Sequence, residues 1–462
     1  MAERIDVDVC VVGAGYAGLT TARRVQQGGR SVVVLEARDR IGGRIWTEHL
    51  DDGTPIDRGG GWLAPYHDRA LALAGEVGVG TFKTYVAGKH LLVDGDRVRR
   101  YRGLIPKIGV RAVATLVLAQ LRIDRMAKQV PVEAPWTAPK AAEWDALSVA
   151  DHLASSGITA GVGRELFDSA VRGLMTGPLE EVSLLHLLFL CRAHQSISKL
   201  FSIEGGGQEN LVVGGAGEPA RRVAAELGDA VRLDQPVRSI AQLTDHVEVQ
   251  TATITVKARR VVVTIPPALI PEIAFVPELP ADRLALYRAA TAGPETKTLL
   301  VYDQPFWRSD GFSGQTAGPA SASEVTIDAS PVDAGRGVLA SFTFGRVAKD
   351  LAELEAAERR QAVIDAIAAR LGPRAAAPDE VVETQWWTEP WTLGCSFAHL
   401  PPGALTRWGP LLRAPFGLVH WAGTETATTS HGAIDGAVRS GERAAAEVLS
   451  ACGVLEGAGE GP

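Results

Sequence analysis

The sequence predicts an α/β fold whose parallel sheet is assembled from segments far apart in the chain. Three observations carry this. Two continuously apolar runs, VDVCVV at Val7–Val12 and SVVVLEA at Ser31–Ala37, bracket a helical pattern. Strands buried on both faces of a parallel sheet read as unbroken apolar runs of this kind. Further apolar runs lie at Ala258–Ile265 and Gly417–Ala422, with long stretches at helical spacing between.

Each element has its own reason. After the first strand comes GAGYAG, then a helix with Leu19, Ala22 and Val25 on one face, closed by Gly28–Gly29. With the strand at Ser31–Ala37 this makes a βαβ unit. Residues Pro106–Val130 and Ala142–Ser196 are spaced as helices, for example Leu184, Leu187, Leu188 and Cys191. The glycine cluster EGGGQENLVVGGAGE at 204–218 interrupts them. Val231–Gln250 and Ala258–Ile265 alternate or run apolar as strands do, and Pro266–Pro267 stops the second. Lys297–Tyr302 reads as a strand, Ala352–Leu371 as one helix, and Gly417–Ala422 as a strand. A last helix from Gly432 to Leu449 aligns Ile434, Ala437, Val438, Ala445 and Val448.

Composition bounds the function. The 462 residues are 46% hydrophobic and 22% charged, as in ordinary globular chains. Basic and acidic residues number 47 and 54, interspersed, for a net charge of −7. Nucleic-acid binding needs clustered cations and is not expected. Cys10, Cys191, Cys395 and Cys452 match neither a disulfide framework nor a zinc spacing, so no metal is expected. No stretch reaches the ~20 apolar residues of a membrane span. Without a secretory leader at the start of the sequence, a cytoplasmic protein is expected.

Three motifs carry chemistry. In Gly13-Ala-Gly15-Tyr-Ala17-Gly18 the first glycine permits the tight turn, the second a close approach of pyrophosphate, and the third close helix–sheet packing. Helix N–H groups and the helix dipole favour the anion. Glu36 ends the second strand, where a carboxylate can accept ribose hydroxyls. These features predict a Rossmann-like dinucleotide site, NAD or FAD. The second motif runs from Glu36, Ala37 and Arg38 through Gly42-Gly43-Arg44 to Asp57-Arg-Gly-Gly60-Gly61-Trp62. Its glycines admit a ribityl or phosphate group, and Arg44 can neutralise phosphate; an exposed turn is the plainer reading. The third is Trp421-Ala-Gly423-Thr424-Glu425-Thr-Ala-Thr-Thr-Ser-His-Gly-Ala433-Ile434. Its helix start suits the pyrimidine end of a flavin, where donors stabilise charge on reduction. Equally, it reads as a plain helix start capped by Thr429 or Ser430.

These blocks, with VVVTIPPAL, PETKTLLVYDQPFW and GCSFAHLPPGALTRWG, resemble the flavin-dependent amine oxidases of the monoamine oxidase type almost end to end. The resemblance implies FAD as the dinucleotide and a glutathione reductase-like architecture. It implies an FAD-binding domain from residues 1–81, 206–282 and 392–462, and an α+β substrate domain from 82–205 and 283–391. By position, Gly13, Gly15 and Gly18 would hold pyrophosphate, Glu36 the adenosine ribose, and Arg44 would lie by the phosphates; Ala17, Ala37, Arg38 and Gly43 would also belong to the cofactor site. Gly60, Gly61, Trp62 and Trp386 would border the cofactor. Val237 would meet adenine through its backbone. Gly423, Thr424 and Glu425 would line the pyrophosphate–ribityl stretch, and Ala433 and Ile434 would face the ring, Ile434 N–H toward O2.

Lys297 shares a strand face with Leu299 and Val301, where a snorkelling surface charge is the plain reading. The resemblance instead makes it the catalytic residue, bound through water to flavin N5 and assisting O2 reduction. Cys395 stands where monoamine oxidases attach FAD through a thioether; covalent attachment and a small buried hydrophobe both stay open. Ser396 and Ala433 occupy the two positions where those enzymes place substrate-flanking tyrosines, so the aromatic pair is absent as drawn. Phe201 and Gln208 complete the expected substrate pocket, and Trp62, Trp386 and Trp391 are further aromatic candidates. The implied activity is oxidation of an amine to an imine, hydrolysed to an aldehyde or ketone, with O2 reduced to H2O2. Polyamines, L-amino acids or another donor are the alternatives within the fold. A homodimer is compatible with this reading. No general base stands out; His431 reads as a helix-start residue.

Overall fold

The protein is described here from a computed structural model covering residues 3–94, 97–103, 108–156, 161–175, 177–319, 321–333 and 335–453. Pro106 and Lys107, at the start of one expected helix, lie outside the described residues.

Four parallel strands organise the first sheet: β1 (Glu3–Val12), β2 (Val32–Leu35), β3 (Ile254–Val263) and a short strand at Val419–Trp421. β1 lies between β2 and β3, with Val12 opposite both Leu35 and Val263, and Val263 in turn opposite Trp421. All four therefore end at one edge, where open α/β sheets bind their ligands. Val231–Arg232 extends the sheet beyond β2. Val247–Gln250, Ser239–Gln242 and Ala274–Val276 extend it beyond β3, so the single strand expected over Val231–Gln250 is three, divided by turns.

Strand alternation sorts the core. Val9, Val11, Val34 and Val262 face one layer with Leu19, Ala22 and Val25 of α1 (Tyr16–Gln27). Cys10, Val12, Val33, Leu35, Val261 and Val263 face the other, which continues into the helix Leu184–Ala193. The last helix, Ile434–Ala451, contributes Val438, Ala445 and Val448 to the first layer. It passes so close to α1 that a Cβ on Gly441 would sit 2.4 Å from Ala17 O.

The second sheet has seven strands, ordered Glu380–Gln385, β4 (Glu295–Tyr302), β5 (Gly337–Phe344), Val325–Asp328, Phe312–Ala317, Lys89–Asp94 and Arg97–Tyr101. β4 is flanked on both sides and buried along its whole length. The helix expected over Ala352–Leu371 is Ala356–Leu371, its start delayed by a break at 353–355 that separates it from a preceding helix, Gly345–Ala352. Among the described residues no helix is long and apolar enough to cross a membrane.

Candidate active site

One cavity of about 1140 Å³ runs along the carboxyl edge of the first sheet and under the second. It exceeds the roughly 300–1000 Å³ of a small-ligand pocket, leaving room for a dinucleotide and a second molecule. Its walls come from the N-terminal βαβ unit, the segment after β3, β4 and its neighbours, and the loop and helix near the C-terminus.

Two helix N-termini open into it. α1 starts at Gly15 and the C-terminal helix at Ala433, and neither has a side-chain cap. Thr429 and Ser430 therefore do not cap the second helix. Gly13 has φ +103°, and its Cβ would press within 2.8 Å of Thr264 Oγ1. Glu36 accepts from Ala14 N at 2.7 Å and Arg38 N at 3.1 Å, which fixes the carboxylate at the end of β2.

Lys297 is a buried cation, 2% exposed. Its Nζ donates to the backbone carbonyls of Asp57 at 2.5 Å and Gly59 at 2.8 Å. It lies 4.8 Å from the Trp62 ring and 5.5 Å from that of Phe342. Burial lowers its pKa to about 8, although the carboxyls of Asp57 and Glu295 pull the other way. Snorkelling to solvent is thus not what this lysine does.

The structure brings nearly all the expected residues to this cavity. Gly15, Ala17, Ala37, Gly43, Gly60, Gly61, Val237, Gly423, Thr424 and Ile434 line it, as do Phe201, Gln208, Ser396 and Ala433. Two are placed differently. Gly18 packs under the turn: its Cβ would fall 1.9 Å from Gly13 O, so the close approach is helix to turn. Glu425 turns away from the expected pyrophosphate–ribityl lining and accepts from Arg44 at 2.5 and 2.9 Å. Burial opposes the charge on each, but the pair wins: Arg44 is raised and Glu425 lowered from their ordinary ranges. Arg44 also donates to Ser396 O at 2.8 Å, tying the turn after β2 to the Cys395–Ser396 loop.

Trp386 is fully buried and donates to Arg58 O at 3.0 Å, whereas Trp62 Nε1 is buried without a partner. Cys395 is a free, buried thiol on the cavity wall, and burial pushes its pKa up. His431 lies buried just before the last helix, and burial lowers it to about 4. Among the described residues no cluster of His, Cys, Asp and Glu could hold a metal ion.

The sequence reading missed two buried cavity carboxyls, Glu295 and Glu324. Glu324 is engaged by Ser169 and Arg172, each at 3.2 Å, and by Phe344 N at 2.9 Å. Glu295 Oε2 has no partner. A signal for Glu295 was available in its period-2 relation to Lys297.

The chain matches the family model for flavin containing amine oxidoreductases over residues 16–449. It belongs to that family. An L-amino acid dehydrogenase of Synechocystis is 37% identical over 461 residues, covering 97% of this chain and 96% of that one. The flavin-containing amine oxidase A of Equus caballus is 34% identical over 452 residues, covering 96% and 85%. Putrescine oxidase bound to putrescine superposes with a TM-score of 0.93 at 31% identity, covering 97% of this chain and all (100%) of that one. The chain is thus an FAD-dependent amine oxidoreductase with the architecture of that family. The cavity fits FAD on its own geometry: two uncapped helix N-termini, a glycine cradle at Gly13 and Gly15, and a fixed carboxylate at Glu36 face one space.

Proposed function

We propose that this flavoenzyme oxidises a primary or secondary amine to an imine, released as an aldehyde or ketone after hydrolysis, and passes the electrons to O2 to give H2O2. Bound FAD would supply the two-electron redox chemistry, and the protein the orientation, desolvation and electrostatics. In this reading the N-terminus of α1 with Gly13 and Gly15 holds pyrophosphate, and Glu36 holds the adenosine ribose. Val237 meets adenine, Gly423 and Thr424 border the ribityl chain, and Ile434 offers its N–H to the ring. Residues 1–81, 206–282 and 392–462 form the cofactor half, and 82–205 and 283–391 the substrate half. Ser396 and Ala433 leave a smaller wall than two tyrosines would. Trp62, Phe342 and Phe201 supply aromatic surface from other directions.

A single observation carries the choice of O2 as acceptor. Lys297 is a cation fixed by two carbonyls inside the cavity that both helix N-termini open into. Held there, it stabilises negative charge on O2 as electrons arrive. Apolar walls favour the neutral amine over the ammonium. The test is a peroxide-coupled assay over a panel of monoamines, diamines and L-amino acids. At least one monoamine should yield H2O2 and bleach the flavin anaerobically. Anaerobic bleaching with no peroxide in air would replace oxidase by dehydrogenase, and turnover of L-amino acids alone would replace the substrate class.

A further inference from the structure

An amine dissolved at neutral pH carries an extra proton, and its nitrogen lone pair is free only when that proton leaves. Glu295 is placed to take it. It opens β4 two residues before Lys297, so both side chains leave one face of the strand. Its carboxyl lines the cavity and the residue is 6% exposed. Oε2 makes no hydrogen bond, and an orphaned buried carboxyl oxygen in a ligand cavity asks for a ligand. Ser396, whose side chain lies near enough to act on the Glu295 carboxyl, stands at one of the two positions where the family resemblance led us to expect a bulky flanking residue. The serine leaves this carboxyl open to the cavity.

We propose that Glu295 is the proton acceptor for the substrate ammonium, acting at the Ser396 side of the cavity. This rests on the amine-oxidation reading and deepens it. In the step, one N–H bond of the ammonium breaks and its electron pair stays on nitrogen. An O–H bond forms on the Glu295 carboxylate. Nothing is oxidised or reduced, and a positive and a negative charge become two neutral groups. A buried, poorly solvated site favours that exchange.

The surroundings suit the role. The facing groups are Lys297 on the same strand and Cys395 and Ser396 on the adjoining loop. Asp57 lies beyond Lys297, and the Arg44–Glu425 pair lies behind Cys395. The Lys297 ammonium is occupied by the carbonyls of Asp57 and Gly59, so it does not close off the carboxyl. Burial raises Glu295 to about 7, countered in part by Lys297 and Ser396, which makes it an acceptor at neutral to mildly alkaline pH. Glu324, another buried carboxyl of the cavity, is already engaged by Arg172, Ser169 and the Phe344 amide.

The test uses holoenzyme and tert-butylamine, a primary amine with no hydrogen on the carbon bearing nitrogen, which binds without being oxidised. Calorimetric titration at pH 8 in two buffers of different ionisation enthalpy counts the protons released. In the wild type the proton passes to Glu295 and net release is close to zero. In Glu295→Gln it must go to buffer, and release rises to about one per site. Glu295→Asp should return the count toward zero, which a merely structural role would not do. With the best oxidisable amine, kcat/KM of Glu295→Gln should fall by about 100-fold. Equal proton counts in wild type and Glu295→Gln overturn the proposal, as does failure of the wild type to bind the probe. If Glu295→Gln does not accumulate with flavin, the wild-type infrared difference spectrum decides. A carboxylic-acid carbonyl band appearing on amine binding supports the proposal, and its absence overturns it. Peroxide formation from amines is measured separately, so the oxidase reading can stand while this one falls.

Discussion

Gly15 and Gly18 belong to one motif, yet the structure gives them opposite jobs, and two alanine substitutions separate them. Gly15 has φ −74° and ψ 178°, a conformation alanine adopts freely. A Cβ there would meet only Gly42 O, at 3.9 Å. Gly15→Ala should therefore change apoprotein stability by less than about 1 kcal/mol. Its methyl would enter the cavity where the cofactor must approach the backbone. Crowding of that kind costs about 1–3 kcal/mol, or about 5–150-fold in FAD affinity. For Gly18→Ala the new Cβ would lie 1.9 Å from Gly13 O and 2.9 Å from Thr264 Oγ1. The turn has to move, so the apoprotein itself should lose about 1–3 kcal/mol or more. Both changes are made in a Cys395→Ala background so that FAD is releasable. Urea unfolding of apoprotein and FAD titration by flavin fluorescence give the two numbers. The reasoning fails if Gly15→Ala destabilises apoprotein as much as Gly18→Ala, or binds FAD with unchanged affinity.

Three further outcomes are expected. Lys297→Met should slow reoxidation of the reduced enzyme by O2 more than it slows anaerobic reduction by amine; stopped-flow traces with unchanged reoxidation would remove the lysine's role. Acid precipitation of the holoenzyme decides the state of Cys395: yellow colour held in the pellet means a thioether, and FAD in the supernatant means none. Glu295 should leave a pH signature in stability. Its folded pKa of about 7 lies above the ordinary value of 4.5, so its favourable contribution is complete below pH 4.5 and lost as pH rises through 7. Relative to wild type, Glu295→Gln should gain on the order of 3 kcal/mol between pH 4.5 and pH 8. A wild-type–variant difference in urea midpoints that does not change with pH would contradict the burial argument.

What could be read from the chain was what is local or repeated. β1, β2 and β3 are visible as apolar runs because both faces of a parallel sheet are covered. The cofactor-side glycines are visible because a phosphate cradle needs them at fixed spacing. Glu295 was hidden because a glutamate at a strand start looks like a surface residue. Its burial is imposed by β5 and Glu380–Gln385, whose positions depend on pairing across the chain. Glu425 looked like part of the cofactor lining, and only the fold reveals Arg44, 381 residues away, as its partner. The break at Glu353–Glu355 was missed because the helical pattern runs through it, and a tertiary turn overrides a weak local preference.

The interleaving of the first sheet has a consequence for biosynthesis. β1 emerges from the ribosome early, but its neighbour β3 begins only at Ile254, and β3 waits in turn for Val419–Trp421. The nascent β1 therefore exposes an unpaired strand edge until β3 is made, a surface that invites aggregation or chaperone binding. The helix that completes the cavity, Ile434–Ala451, is made after all the strands of this sheet. The cavity that would hold FAD is therefore complete only after Ile434–Ala451 has been made and packed against α1.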